Sequence, residues 1–164
     1  MTETQLTICT WADATFGPAS DASIAARALE EMSKLVTACV NGEPAERIGE
    51  EIADVVIALA RLGRALGVDV VSHVDETVAA PDRRLIALHD ATNANGSLAS
   101  VLTAVVRGDF ETAAAGLKNC VWFLVDLGIN LDLPDAIDRK MAINRTRRWV
   151  TDGKGHGRHV KEAP

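Results

Sequence analysis

The residues of this chain best suited to chemistry are acidic and come in two short runs, Glu30-Glu31-Met32-Ser33-Lys34 and Glu50-Glu51-Ile52-Ala53-Asp54. Asn41-Gly42-Glu43-Pro44 lies between them and reads as a tight connection. If each run is helical, the two helices are antiparallel and Glu31, Glu51 and Asp54 come together beside an apolar seam. Clustered carboxylates suit a hard cation such as Mg²⁺, which takes oxygen ligands and keeps some of its water. Lys34 is the discordant member, because an ammonium repels a cation and cannot ligate while protonated. The competing reading is that Glu51 and Asp54 only pair with surface arginines in a bundle without a site.

The elements that position these groups follow from the apolar pattern. Ser20 or Asp21 can cap a helix running to about Val40, with Ile24, Ala28, Met32, Leu35, Val36 and Cys39 on one stripe. At about 100° per residue Glu31 falls at the edge of that stripe and Glu30 points nearly opposite. Lys34 is one turn beyond Glu31. A second helix is expected from about Ala45 to Leu66, stopped by Gly67, with Ile48, Ile52, Val55, Val56, Leu59 and Leu62 buried. Ile57 on its back predicts packing on more than one side, as in the middle of a bundle. Glu50, like Glu30, is expected in solvent.

Further along, a short helix is expected over about 72–80, then helical stretches over 82–88 and 97–107 separated by Asn95-Gly96, and another from Asp109 to Leu127. The apolar pattern of 52–63 recurs in 117–128, and Gly67-Val68-Asp69 has an echo in Gly128-Ile129-Asn130. This reads as a diverged internal duplication, in which Gly116 and Asn119 replace Glu51 and Asp54 and His89-Asp90 with Asn93 replaces Glu30-Glu31 with Lys34. The expected architecture is all-α, a single domain of 164 residues. Residues 1–80 form the acid-bearing half, 81–150 a degenerate second half with a basic last helix, and 151–164 a glycine-rich basic tail.

That last helix is expected from Pro134 to about Val150, with Lys140, Asn144 and Arg148 on one face and Arg145 nearby. Such a face suits phosphate oxygens, to which Arg offers a planar fork and Lys a point charge. The tail from Asp152 to His159 alternates glycines with polar residues, which either cradle phosphate or are mobile. It lacks the spacing of a phosphate-binding P-loop, and its histidines match no zinc pattern. Residues 1–20 look irregular; Trp11 and Phe16 either staple this arm to the helices or offer a stacking surface to a planar ligand.

Charge narrows the partners. The net charge is −6, yet residues 138–164 hold 8 basic and 3 acidic side chains against 9 and 20 in residues 1–137. An acidic body with a basic end argues against nucleic acid and fits a small anion held locally, a solvated basic tail being the alternative. Cys39 and Cys120 fall in apolar helical runs and read as small core residues. The sequence opens without a basic-then-apolar leader and has no apolar run long enough to span a bilayer, so a cytoplasmic protein with no membrane partner is expected.

Taken together these residues resemble the all-α nucleoside triphosphate pyrophosphohydrolases, the MazG-like superfamily that includes the dimeric dUTPases. Glu51-Ile52-Ala53-Asp54 looks like that family's ExxD motif, and Glu31-Met32-Ser33-Lys34 like its ExxE motif with Lys34 in place of the second glutamate. Residues 140–149, the tail to His159, and Trp11 with Thr15-Phe16-Gly17 look like the two ends of MazG-like proteins. The likeness is thin through 82–130. The resemblance implies hydrolysis of a (deoxy)nucleoside triphosphate to monophosphate and pyrophosphate with Mg²⁺, or Mn²⁺ in its place. It implies metal on Glu31, Glu51 and Asp54, and phosphates on Lys140, Asn144 and Arg145 or Arg148. It further implies the base near Trp11 or Phe16, and a homodimer. Lys34 either stands in for one of several ions as a fixed charge or marks a member that binds nucleotide, or assembles, without turnover.

Overall fold

In a computed structural model, which describes residues 2–75, 87–128, 130–151, 153 and 155–160, the chain is almost wholly helical. Helices α1 (Gln5–Phe16), α2 (Asp21–Val40), α3 (Ala45–Leu66) and α4 (Val70–Asp75) precede α5 (Ala87–Arg107), α6 (Phe110–Leu127) and α7 (Leu133–Thr146). A short antiparallel hairpin closes the described chain, β1 (Trp149–Thr151) paired with β2 (Gly157–His159), Trp149 opposite His159. The fold is an all-α bundle, as the periodicity predicts. The helical turns expected over 76–86, with Ile129, Asp152 and Lys154, lie outside the described residues.

Two antiparallel hairpins, α2–α3 and α5–α6, make the frame, joined by α2 against α5 and α3 against α6. α3 also touches α1, α4 and α7 and is the central helix. Its sequence explains this, because Val55, Val56, Leu59, Ala60 and Leu62 are fully buried and Ile57 on the back nearly so. The core runs as one cluster from Ile8 on α1 through Met32, Leu35, Ile52, Leu98, Leu117 and Leu124 to Ile137 and Met141 on α7. Caps fix the frame: the Ser20 side chain accepts from Ser23 N–H, and Gly67 ends α3 in the left-handed conformation at φ +67°. Cys9 and Cys120 are buried, Cys39 half-buried, and all three are free thiols.

Four expectations change. Residues 5–16 are helical rather than irregular. Thr4 and Thr7 cap each other there, Ile8, Cys9 and Ala12 pack inward, and the Gln5 amide bridges Val68 O and Val70 N–H. The stretch around Asn95-Gly96 does not break α5, because Ala91, Ala94 and Leu98 are buried on one continuous stripe. The last helix stops at Thr146 instead of Val150; Arg147 turns extended and the Trp149 indole N–H donates to Asn144 O at 3.0 Å. The proposed match of Asp90 to Glu31 also fails in register. A Cβ on Gly116 would meet Val101 and lie near Ser97 O, so residues 97–101 face that position, two to three turns from Asp90.

Candidate functional site

α2 and α3 each contribute one buried glutamate to a cleft of about 470 Å³. Glu31 is 5% exposed and Glu51 3%, whereas the side chain of Glu30 is 65% exposed. The helical phase thus sorts inner from outer acids as expected. Asp54, one turn after Glu51, is partly buried, and one carboxylate oxygen from each of Glu31, Glu51 and Asp54 lies within 4.8 Å of the others. Ligands on opposite sides of a Mg²⁺ are about 4 Å apart and those of Ca²⁺ about 5 Å, so a small adjustment brings three oxygens onto one ion.

Each carboxylate is already held by cations. Arg27 and Lys34 pair with Glu31, Lys34 Nζ at 2.7 Å from Oε2; Arg47 pairs with Glu51; and Lys140 Nζ reaches Asp54 Oδ2 at 2.6 Å. The arginine pairing considered as an alternative therefore exists for Glu51, whereas Asp54 pairs with a lysine, and all four residues line the cleft. One atom is left out: Glu51 Oε2 is buried with no hydrogen-bond partner. An unpartnered buried carboxylate oxygen is costly, and a cation at this point would remove the cost. The donor set therefore fits a divalent ion. Burial outweighs the neighbouring cations and raises the pKa of both Glu51 and Asp54, so part of the cost of ionising them remains uncompensated.

The opposite wall comes from α7 and the hairpin. Lys140 and Asn144 are buried and face the cleft, one turn apart. Arg145 and Arg148 do not join them. Arg145 forms a fork onto Glu3, whose carboxyl it holds below its usual pKa, and so ties the amino-terminal arm to α7. Arg148 is exposed and lies outside the cleft lining, because α7 has ended before it. Its expected place is taken by Arg147, whose guanidinium turns back to Asn144 Oδ1 at 3.1 Å.

Trp11 and Phe16 do line the cleft, and Trp149 completes a three-ring cluster with them. The centroids are 5.1–6.0 Å apart and the rings meet edge to face. His159 on β2 packs edge-on against Trp149 at 6.1 Å. Arg61 fixes this end. It is 8% exposed, pairs with Asp13, and donates to Gly17 O and Gly155 O, both at 2.7 Å. Gly155, at φ +85°, is pressed against Ala19 where a side chain would collide. The hairpin is thereby held over α1 and the start of α2, and His156 contacts Ser23 Oγ at 3.0 Å.

Seven cationic side chains, Arg27, Lys34, Arg47, Arg61, Lys140, Arg147 and Arg158, share the cleft with three acids. In a protein of net charge −6 this concentrates positive potential at one point. Sequence reasoning missed Arg27, Arg47 and Arg61, and it noted Arg147, Trp149, His156, Arg158 and His159 only as parts of the stretches that look like MazG-like ends, with no role for any of them. Of these, Arg27 and Arg47 left a local signal in their spacing, three and four residues before a glutamate pair. Comparison with models of known protein families, with curated proteins and with solved structures returns no match to this chain.

Proposed function

We propose that this chain is a Mg²⁺-dependent pyrophosphohydrolase that converts a (deoxy)nucleoside triphosphate to its monophosphate and pyrophosphate, the activity its MazG-like motifs imply. The observation that carries the proposal is the sharing of one cleft by three converging carboxylates, a surplus of cationic side chains and an aromatic end. These are the three things a nucleoside triphosphate complexed with a divalent ion asks for: oxygen ligands, donors to phosphate, and an apolar surface for the base.

In this reading Glu31, Glu51 and Asp54 hold the ion, Mg²⁺ or Mn²⁺. When bound, the ion neutralises phosphate oxygens and makes a nearby water more acidic. Lys140, Asn144 and Arg147 bind phosphate oxygens from the α7 side, Lys140 leaving Asp54 as they arrive. Trp11, Phe16 and Trp149 present ring edges and faces to the base, and Arg61 positions the hairpin that carries Trp149. The oxygen of water bonds to the α-phosphorus, the bond from that phosphorus to the bridging oxygen breaks, and the water's proton leaves to solvent. Pyrophosphate and the nucleoside monophosphate result.

Incubation with a panel of ordinary and modified dNTPs and Mg²⁺ tests this directly. Pyrophosphate release is expected with at least one of them, and silence across the panel at high protein concentration sinks the proposal. A second reading, a nucleotide-binding or assembly protein without turnover, is favoured by the Lys34 ammonium sitting on Glu31 Oε2. It predicts nucleotide binding without release of pyrophosphate, and Lys34→Glu should then raise Mg²⁺ affinity. No helix among the described residues is long and apolar enough to cross a membrane. A cytoplasmic homodimer completes the proposal, and the exposed Val106, Phe110 and Trp122 of α5 and α6 offer apolar surface to a second copy.

A further inference from the structure

A five-residue pattern occurs twice around the cleft, Arg27-Ala28-Leu29-Glu30-Glu31 on α2 and Arg47-Ile48-Gly49-Glu50-Glu51 on α3. Both copies make the same arrangement. One guanidinium nitrogen bonds the outer, solvent-facing glutamate, Arg27 Nη1 to Glu30 Oε2 at 2.6 Å and Arg47 Nη1 to Glu50 Oε2 at 2.7 Å. The other, Nη2, bonds the inner glutamate, Glu31 Oε1 or Glu51 Oε1. Helical spacing of three and four residues makes this double grip possible, and only the planar fork of arginine can span it. Both arginines line the cleft, and their side chains are only partly buried, 32% and 49% exposed. Each has its outer anchor in solvent and its inner partner at the point where the carboxylates converge.

We infer that Arg27 and Arg47 are anion-gripping arms parked between paired glutamates, which release their inner glutamates to a divalent cation and turn the freed N–H groups to the phosphate oxygens that accompany it. The inference rests on the function proposed above and adds two substrate-gripping residues and two positioning residues, Glu30 and Glu50. The charges drive it. A divalent ion arriving at Glu31 and Glu51 repels the guanidinium nitrogens already on those carboxylates, with little water between to screen them. The outer glutamates keep each arm attached at its other nitrogen, so the inner nitrogen stays at the cleft wall, where an anion replaces the lost carboxylate. Ion and anion therefore assist each other through the same two arms, and this coupling is reciprocal.

Manganese titration of the full chain, followed by electron paramagnetic resonance with no phosphate present, tests the parking. Arg27→Gln and Arg47→Gln remove a competitor and are expected to tighten Mn²⁺ by about three- to tenfold, whereas Glu30→Gln and Glu50→Gln throw the arm wholly onto the inner glutamate and weaken it by about two- to threefold. Calorimetric titration of the Mn²⁺-loaded protein with inorganic pyrophosphate tests the grip, which should weaken about tenfold in either arginine-to-glutamine variant. Arg27→Lys and Arg47→Lys keep the charge and the helix propensity but lose the fork; they should bind pyrophosphate more weakly than wild type while melting at the wild-type temperature. Unchanged or weaker Mn²⁺ binding in Arg27→Gln and Arg47→Gln, or undiminished pyrophosphate binding in them, overturns the inference while leaving the proposed function standing. A wild-type protein that takes up no Mn²⁺ overturns both.

Discussion

The two hairpins of the bundle are built alike and do different things at their seams. In α2–α3 the seam carries Glu31, Glu51 and Asp54, each paired with a cation, and these three acids line a cleft. In α5–α6 the second helix carries Gly116 and Asn119 at the positions that the sequence pattern sets against Glu51 and Asp54. Gly116 lies so close to α5 that a Cβ would stand 2.9 Å from Val101 Cγ2, and Asn119 points to solvent. One seam is closed by a small residue and dispersion contacts; the other carries charges whose burial is only partly compensated. The site-bearing hairpin thus holds buried charge where the other holds a small residue, and α5–α6 packs against both α2 and α3.

Making the acid-bearing hairpin chemically like the other gives the largest expected effect. The double variant E51A/D54N should fold, because Glu51 and Asp54 are desolvated acids whose removal also removes a cost. Its pyrophosphate release should fall by at least about 100-fold, read as kcat/KM under single-turnover conditions. Loss of folding by circular dichroism would show that the carboxylates are needed to hold the seam together.

The same contrast predicts a pH signature of intermediate size. The folded-state pKa values of Glu51 and Asp54 are raised by burial, so these groups favour the fold when protonated and lose that contribution as pH rises through the raised values. A divalent ion stabilises their ionised forms. At about a hundred times its Kd, Mn²⁺ should raise Tm by about 5–10 °C near neutral pH, and the increment should shrink as pH falls through the raised carboxylate values. E51A/D54N should show no Mn²⁺ increment at any pH in a scanning melt.

The smallest effect tests the closed seam. Gly116→Leu drives a side chain into Val101 and should cost about 1–3 kcal/mol, seen as a lower Tm, with metal binding and pyrophosphate release unchanged. A site that failed together with this seam would mean that the two hairpins are not independent in function.

How far the site could be read in the linear sequence differs residue by residue. Glu31, Glu51 and Asp54 were legible because helical phase alone decides which side of a helix a residue occupies, and both host helices have strong apolar stripes. α1 was not, because its inward residues Ile8, Cys9 and Ala12 are few and modest, and its stability comes from α3 and the Gln5 bridge to Val68 and Val70. Arg148 was misplaced by extending α7 four residues past the point where Arg147 leaves helical geometry. The pairing of Trp149 with His159 gave no signal, since a three-residue strand pair has no pattern of its own.

By itself, the sequence determined the all-α class, the span of α2 and α3 and the three acids on their facing sides, because period, caps and phase are local properties of a chain. Tertiary structure decided which cations meet those acids, which of Arg145, Arg147 and Arg148 enters the cleft, and how α1 and the carboxy-terminal hairpin form the aromatic end. Those pairings join residues as far apart as Arg61 and Gly155, and only the packing of α3 against its neighbours sets their distance.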